Sequence, residues 1–110
     1  MIEWLDKKCQ SGNAGIKVTH EEALNYLEEF SGWVLDDSLT KITKRFEFKN
    51  FKQTMFFMNA VAFLCEAEVH HPDVKLGFNY CEITFTTHDV HGLSENDFIC
   101  AAKVNHLLMK

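Results

Sequence analysis

The sequence has one proline, no long apolar run and no tract rich in proline, glycine or serine. The absence of a linker-like tract predicts a single domain over residues 1–110. No apolar run approaches the roughly 20 residues of a membrane span, and residues 1–6 lack the basic and apolar regions of a signal peptide. We therefore expect a cytoplasmic protein with no membrane partner.

Paired cysteines are also missing. The four cysteines are scattered, with no Cys-x-x-Cys motif, at Cys9, Cys65, Cys81 and Cys100. Three of them lie in apolar segments, where a free cysteine behaves as a small hydrophobic residue. The pattern predicts free thiols rather than a disulfide or zinc framework.

Positive charge is scarce, because the net charge is −5. Non-specific nucleic-acid binding needs a basic face, so the acidic balance argues against a nucleic-acid partner. With 46% apolar and 25% charged residues, the composition is that of an ordinary globular domain.

The pattern of caps and alternating residues predicts the fold. Capping-box pairs at Thr19 and Glu22, Asn50 and Gln53, and Ser94 and Asp97 indicate the starts of three helices. Alternating apolar residues predict strands at 33–37, 41–48, 74–78 and 80–87. The order α-β-β-α-β-β-α indicates an α+β fold: a four-stranded antiparallel sheet with three helices packed on one face. A loop-like cluster at Ser11–Gly15 suggests that residues 1–15 form a loosely attached leader.

The helix predicted over residues 51–66 is apolar nearly all round. A stripe through Phe51, Met55, Met58, Ala62 and Cys65 fits the sheet, and a second stripe through Phe57, Val61 and Leu64 extends the apolar surface. A two-layer domain covers only one face of a helix, so the other face needs a further cover. We expect a homo-oligomer, either a dimer or a tetramer.

Three of the six histidines fall close to turns: His70 and His71 precede Pro72, and His88 follows the last strand. Adjacent side chains in extended backbone point to opposite faces, so His70 and His71 can share a site only at a bend, and Pro72 helps to supply one. Clustered imidazoles serve acid–base chemistry or bind a metal. Spacing alone leaves both interpretations open, along with a structural role. The other three, His20, His91 and His106, are interpreted as surface or capping residues.

The segment Glu-x-x-x-His-His-Pro-Asp (66–73), then Ile-Thr-Phe-Thr-Thr-His (83–88) and Gly-Leu-Ser-Glu-x-Asp (92–97), resembles the pterin-4a-carbinolamine dehydratase family. The resemblance implies dehydration of a 4a-hydroxytetrahydropterin to a quinonoid dihydropterin, with the pterin as substrate and without a metal or other cofactor. It places the catalytic histidines at His70, His71 and His88. We expect His71 and His88 to form the acid–base pair, with His70 binding or orienting the pterin or acting on its alternative face.

The same resemblance assigns three further site residues, Glu66, Pro72 and Asp97. Glu66 would hold a histidine in place, Pro72 would shape the corner, and Asp97 would lie beside the site while also capping a helix. The chain departs from the familiar pattern at Val69 and Val74, both expected to border the pocket. Two alternatives stay open: a partner-binding module that uses the apolar helix 51–66 to hold a helical protein segment, and a histidine-ligated metal hydrolase.

Overall fold

The computed structural model of the protein describes residues 2–108. The helices are α1 (Ile2–Asp6), α2 (His20–Leu27), α3 (Phe51–Glu68) and α4 (Glu95–His106), with 3-10 turns at Ser11–Gly15 and His88–Val90. The strands are β1 (Val34–Leu35), β2 (Ile42–Glu47), β3 (Asp73–Leu76) and β4 (Tyr80–Phe85). All pair antiparallel in the order β1-β2-β4-β3. The predicted α+β fold is confirmed, and α1 and the two 3-10 turns are additions to it.

The core lies between the helices and one face of the sheet. On β4, Cys81, Ile83 and Phe85 are fully buried and alternate with half-buried residues, as the sequence predicted. The Phe85 ring lies 5.7 Å from the Trp33 ring. The end of β4 leads to the start of α4, since the hydroxyl of Thr87, two residues after β4, lies 2.8 Å from that of Ser94, the N-cap of α4.

Helix α3 buries a different stripe from the one predicted to lie on the sheet. Its buried residues are Thr54, Phe57, Val61 and Cys65. The Phe57 ring packs at 4.7 Å from Phe46 and 5.1 Å from Phe48. Both stripes are apolar, so the sequence alone could not select the inner one. The choice leaves three phenylalanines exposed on α3: Phe51, Phe56 and Phe63.

The leader, residues 2–15, is attached to the rest of the domain by side-chain packing and by hydrogen bonds, and is not loose. Trp4 is only 4% exposed and meets the Tyr26 ring at 4.9 Å. Asn96 accepts a hydrogen bond from the Gln10 N–H (3.1 Å) and donates one to the Gln10 carbonyl (2.9 Å), while Glu68 accepts one from the Cys9 N–H (2.8 Å). These partners lie 59 and 86 positions away in the sequence, so only the tertiary structure reveals the attachment.

Two further predictions concerned membrane-spanning helices and the state of the cysteines. No helix within residues 2–108 combines the length and the apolarity that crossing a membrane requires. All four cysteines are free thiols, and the Cys9 and Cys100 sulfur atoms lie 3.5 Å apart. The thiol of Cys9 thus adds another contact between the leader and α4.

Leader attachment should weaken in acid through Glu68. Burial raises the pKa of the Glu68 carboxyl, but hydrogen bonds from the Cys9 N–H and the Lys103 ammonium (2.6 Å) outweigh burial and hold the pKa below its ordinary 4.5. A carboxyl whose pKa is lowered by folding stabilises the fold fully above its unfolded pKa. The contribution is lost as the pH falls through the folded value, here below 4.5.

We therefore expect Glu68→Gln to lower the hydrogen-exchange protection of the Cys9 amide at pH 7 by about tenfold or more, since a hydrogen bond to a charged group contributes about 1.5–3 kcal/mol. The difference between the variant and the parent protein should shrink as the pH falls below 4.5 and the Glu68 carboxyl of the parent becomes protonated. Glu66→Gln is the matched control, because Glu66 lies on the same helix but is bonded to His71. Equal protection in Glu68→Gln and Glu66→Gln at pH 7 would show that Glu68 does not hold the leader.

Candidate active site

The corner that separates the adjacent histidines begins where α3 ends. Val69 adopts a left-handed conformation (φ 55°) and its N–H lies in reach of the Cys65 and Glu66 carbonyls. The His70 N–H donates to the Cys65 carbonyl at 3.1 Å, as in a helix ending with a left-handed residue. This conformation is strained for a β-branched residue, and such strain persists where the surroundings require it. The corner turns His70 inward, so that its side chain is 12% exposed, and leaves the His71 side chain 60% exposed.

His70 is held between an aromatic ring and a buried carboxylate. Its Nε2 lies 2.6 Å from Asp97 Oδ1, and its ring stacks on Phe85 at a centroid distance of 5.9 Å and an interplanar angle of 15°. Asp97 has no exposed surface. Two contacts therefore fix both the position and the rotation of the His70 ring.

Polar partners satisfy Asp97 on both oxygens. Its Oδ2 accepts hydrogen bonds from the Thr87 hydroxyl (2.7 Å) and the Ser94 N–H (2.9 Å), the latter being the carboxylate half of the predicted capping box. Since the Thr87 hydrogen goes to Asp97, the Ser94 hydroxyl donates to Thr87 at 2.8 Å. A carboxylate with this set of donors accepts from His70 Nε2–H as well, which leaves His70 Nδ1 as the ring atom able to meet a ligand.

His71 has a looser partner. Its Nε2 lies 3.0 Å from Glu66 Oε1, and the Glu66 side chain is 82% exposed. Exposed ion pairs contribute little, and solvent competes with them. The His71 side chain is therefore held less firmly than that of His70.

The three histidines line one open cleft, here called the histidine cleft, of about 410 Å³. His70 and His71 come from the corner after α3, and His88 comes from the 3-10 turn after β4. The remaining walls are Ala14, Val69, Pro72, Asp73, Thr86, Thr87 and Asp89. The predicted convergence of His70, His71 and His88, with Pro72 at the same corner, is what the fold produces.

Two predicted substrate-binding residues do not line this cleft. Asp97 is fully buried beneath His70, to which it is hydrogen-bonded. Glu66 reaches the site only through His71. Val69 lines the cleft, whereas Val74 does not and instead faces Ile83 across the β3–β4 pair. Within residues 2–108, no three His, Cys, Asp or Glu side chains are grouped closely enough to hold a metal ion.

Sequence reasoning missed Thr87 and the leader. The alternation of buried residues 81, 83 and 85 continues to Thr87, which is 4% exposed, so a buried hydroxyl in need of a partner could have been inferred. Ala14 had no comparable signal, because its place in the wall depends on the long-range contacts of the leader. A second cleft, here called the leader cleft, adjoins the first and shares Ala14, Val69, His70 and Asp89 with it.

The sequence and the fold both match known proteins. The sequence model of the family described as "Pterin 4 alpha carbinolamine dehydratase" matches residues 16–107. A protein of Nitrosomonas eutropha provisionally named pterin-4-alpha-carbinolamine dehydratase is 49% identical over 106 residues, covering 94% of this chain and 92% of its own length. A relative from Methylococcus capsulatus with the same provisional name is 46% identical over 102 residues, covering 92% of this chain and 90% of its own length.

Among solved structures, a transcriptional coactivator/pterin dehydratase from Brucella melitensis superposes with a TM-score of 0.80 at 32% identity, covering 84% of this chain and 98% of its own. A pterin dehydratase-like protein identified as a RuBisCO assembly factor in the alpha-carboxysome superposes with a TM-score of 0.63 at 28% identity, covering 73% of this chain and 93% of its own. The sequence and the α+β fold of this chain thus both match pterin dehydratases. The chain belongs to the pterin-4a-carbinolamine dehydratase family.

Proposed function

We propose that this protein dehydrates a 4a-hydroxytetrahydropterin to a quinonoid dihydropterin and so supports recycling of the pterin. The observation that carries the proposal is the meeting of His70, His71 and His88 in one open cleft. The 4a-hydroxyl leaves as water after receiving a proton, and the resulting pterin cation then gives up a proton. An imidazolium beside the pterin ring can donate the proton to the 4a-hydroxyl, and a neutral imidazole can accept the proton from the cation. The protein therefore undergoes no net change of protonation state.

In this proposal His71 and His88 form the acid–base pair. Both are exposed in the cleft, and neither is bound to a buried partner as His70 is. His70, fixed by Asp97 and Phe85, presents Nδ1 to the pterin and orients it. The pterin is the substrate, and the proposal includes no metal or further cofactor.

The chemistry separates this proposal from the metal hydrolase alternative. We expect the purified protein to accelerate decay of the carbinolamine absorbance, with equal rates before and after treatment with a chelator. Metal analysis of the same preparation completes the measurement. An activity that chelation removes and a divalent metal restores would favour the hydrolase-type interpretation instead.

The family also suggests a second role. The Brucella melitensis relative carries coactivator in its name, and another relative assists RuBisCO assembly. The observation that favours binding of a protein partner here is the exposed apolar face of α3, where Phe56 is 66% and Phe63 is 80% exposed. A groove of about 450 Å³ runs beside it, with Ala60, Leu107 and Leu108 in its wall. Self-association would cover the same surface, and we propose that this face is buried mainly in a homo-oligomer, either a dimer or a tetramer.

Charge placed on this face should prevent assembly. Phe56 and Phe63 are seven residues apart and so lie on one side of α3. We expect the double variant Phe56→Lys with Phe63→Lys to be a monomer, because the interface would otherwise bury unpaired charges. The molar mass is measured by light scattering after size-exclusion chromatography. Ile16→Lys, at an equally exposed apolar residue away from α3, is the control. An unchanged mass in the double variant would remove α3 from the interface.

A further inference from the structure

Three of the four cysteines gather where the leader meets α3 and α4, and they are here called the thiol cluster. The Sγ atoms of Cys9 in the leader and Cys100 in α4 lie 3.5 Å apart. The Cys65 thiol, near the end of α3, is hydrogen-bonded to that of Cys100. Within residues 2–108 no group of three or more His, Cys, Asp or Glu side chains is placed to hold a metal ion, so these sulfur atoms are available to react with one another.

The members of the thiol cluster differ in their access to solvent. Cys65 is 1% exposed and Cys100 has no exposed surface. Cys9 is half-buried and lines the leader cleft, which has a volume of about 490 Å³. Hydrogen bonds with Cys65 and Cys9, together with burial, raise the pKa of the Cys100 thiol, so this thiol stays protonated. A small oxidant that enters the leader cleft therefore meets Cys9 first.

The backbone around Cys9 is suited to closing the gap between the two sulfur atoms. The S–S distance of a disulfide is about 2.05 Å, so the sulfur atoms must approach each other by roughly 1.5 Å. Residues 7–10 have no regular secondary structure, whereas Cys100 lies inside α4. A small shift of the leader toward α4 therefore forms the bond without disturbing the helix.

We propose that a peroxide converts Cys9 and Cys100 into a reversible disulfide, which locks the leader onto α4. The sulfur of Cys9 attacks the peroxide and the O–O bond breaks, so Cys9 becomes a sulfenic acid and one water leaves. The sulfur of Cys100 then attacks the sulfenic sulfur. As the S–S bond forms, the S–O bond breaks and the hydroxyl leaves with the Cys100 proton as a second water. Two thiols thus lose two electrons and two protons to one hydrogen peroxide molecule.

The bridge makes the attachment of the leader depend on redox conditions. In the reduced protein, packing and hydrogen bonds hold the leader, and the disulfide adds a covalent link between residues 91 positions apart. The leader forms one wall of the leader cleft, which shares His70 with the histidine cleft. In a reducing compartment a disulfide is usually transient and redox-sensing, which fits a pair that rests as free thiols.

The first test identifies the bond. The full chain is reduced, freed of reductant, treated with hydrogen peroxide, and then unfolded in an alkylating reagent. We expect two of the four thiols to escape alkylation, and mass mapping of peptides to join Cys9 to Cys100 within one chain. A dithiol should restore both thiols.

Three variants make this test specific. Cys9→Ser should not form the bridge, and its hydroxyl can still donate to the Asn96 carbonyl, as the Cys9 thiol does at 3.6 Å. Cys100→Ser should also lack the bridge, whereas Cys81→Ala, on β4, is the matched control and should keep it. A bond from Cys100 to Cys65, a bond between two copies of Cys9, or a Cys9 oxidised beyond the sulfenic acid with no bond at all would each overturn the proposal.

The second test measures whether the bridge locks the leader. The Gln10 amide donates to the Asn96 side chain at 3.1 Å, so its hydrogen exchange reports local opening of the leader. In Glu68→Gln, which lacks the charged partner of the Cys9 N–H, we expect oxidation to slow this exchange by about tenfold or more, since a cross-link restricts the open state. The same treatment should change nothing in Glu68→Gln combined with Cys9→Ser. A disulfide that forms but leaves the exchange of Gln10 unchanged would show that it does not lock the leader.

Discussion

Replacing His71 or His88 with alanine is expected to lower kcat for carbinolamine dehydration by about 10²- to 10⁴-fold in each variant. General acid–base catalysis by one positioned group typically contributes that factor. Both side chains are exposed in the cleft and neither belongs to the core, so the variants should keep the thermal stability of the parent. The measurement is steady-state kinetics alongside a thermal melt.

The pH dependence makes this prediction more specific. If one histidine acts as acid and the other as base, the profile of kcat/KM against pH is bell-shaped, and each alanine variant should lose one limb. His20→Ala is the control, because His20 is exposed at the start of α2 and does not line the histidine cleft. Full activity in both His71→Ala and His88→Ala would refute the assignment of the acid–base pair.

Replacing Asp97 with alanine is expected to have the largest effect on stability. The change leaves the His70 Nε2–H, the Thr87 hydroxyl and the Ser94 N–H without their shared acceptor. A buried hydrogen-bonding group left without its partner typically costs about 1–3 kcal/mol. We expect the free energy of unfolding, measured in urea, to fall by that amount.

A graded series separates the role of Asp97 from a general loss of packing. Thr87→Val removes one donor while keeping the carboxylate, so it should cost about 1 kcal/mol. It should also leave His70 held by Asp97, so the loss of kcat should be smaller than in Asp97→Ala. Asp37→Asn, at an exposed aspartate, is the matched control and should leave both measurements unchanged. Equal stability of Asp97→Ala and Asp37→Asn would show that Asp97 does not anchor this site.

Local sequence patterns predicted the elements of the fold well. The Asn50 cap and the Thr19 capping box mark helix starts in the structure, and the alternation at residues 81, 83 and 85 gave the correct buried face of β4. These signals depend on residues within a few positions of one another. The inner face of α3 could not be predicted in this way, because apolar residues surround the helix and Phe46 and Phe48 select the inner stripe.

The candidate site also has features that the sequence predicted and features that only the structure shows. The resemblance supplied His70, His71 and His88, and the single proline together with the spacing of the strands made their convergence plausible. The sequence did not reveal that Asp97 is completely buried under His70, that Glu66 reaches the site only through His71, or that the leader forms a wall. Each of these depends on hydrogen bonds between residues far apart in the chain.

By itself, then, the sequence determined the helix starts, the strand alternation and the types of side chain available for chemistry, because these follow from backbone geometry and local hydrogen bonding. The tertiary structure alone decided which imidazole is fixed and which is exposed, and where the leader runs. It did so because a buried carboxylate fixes a ring only when packing brings α4 and the corner after α3 together.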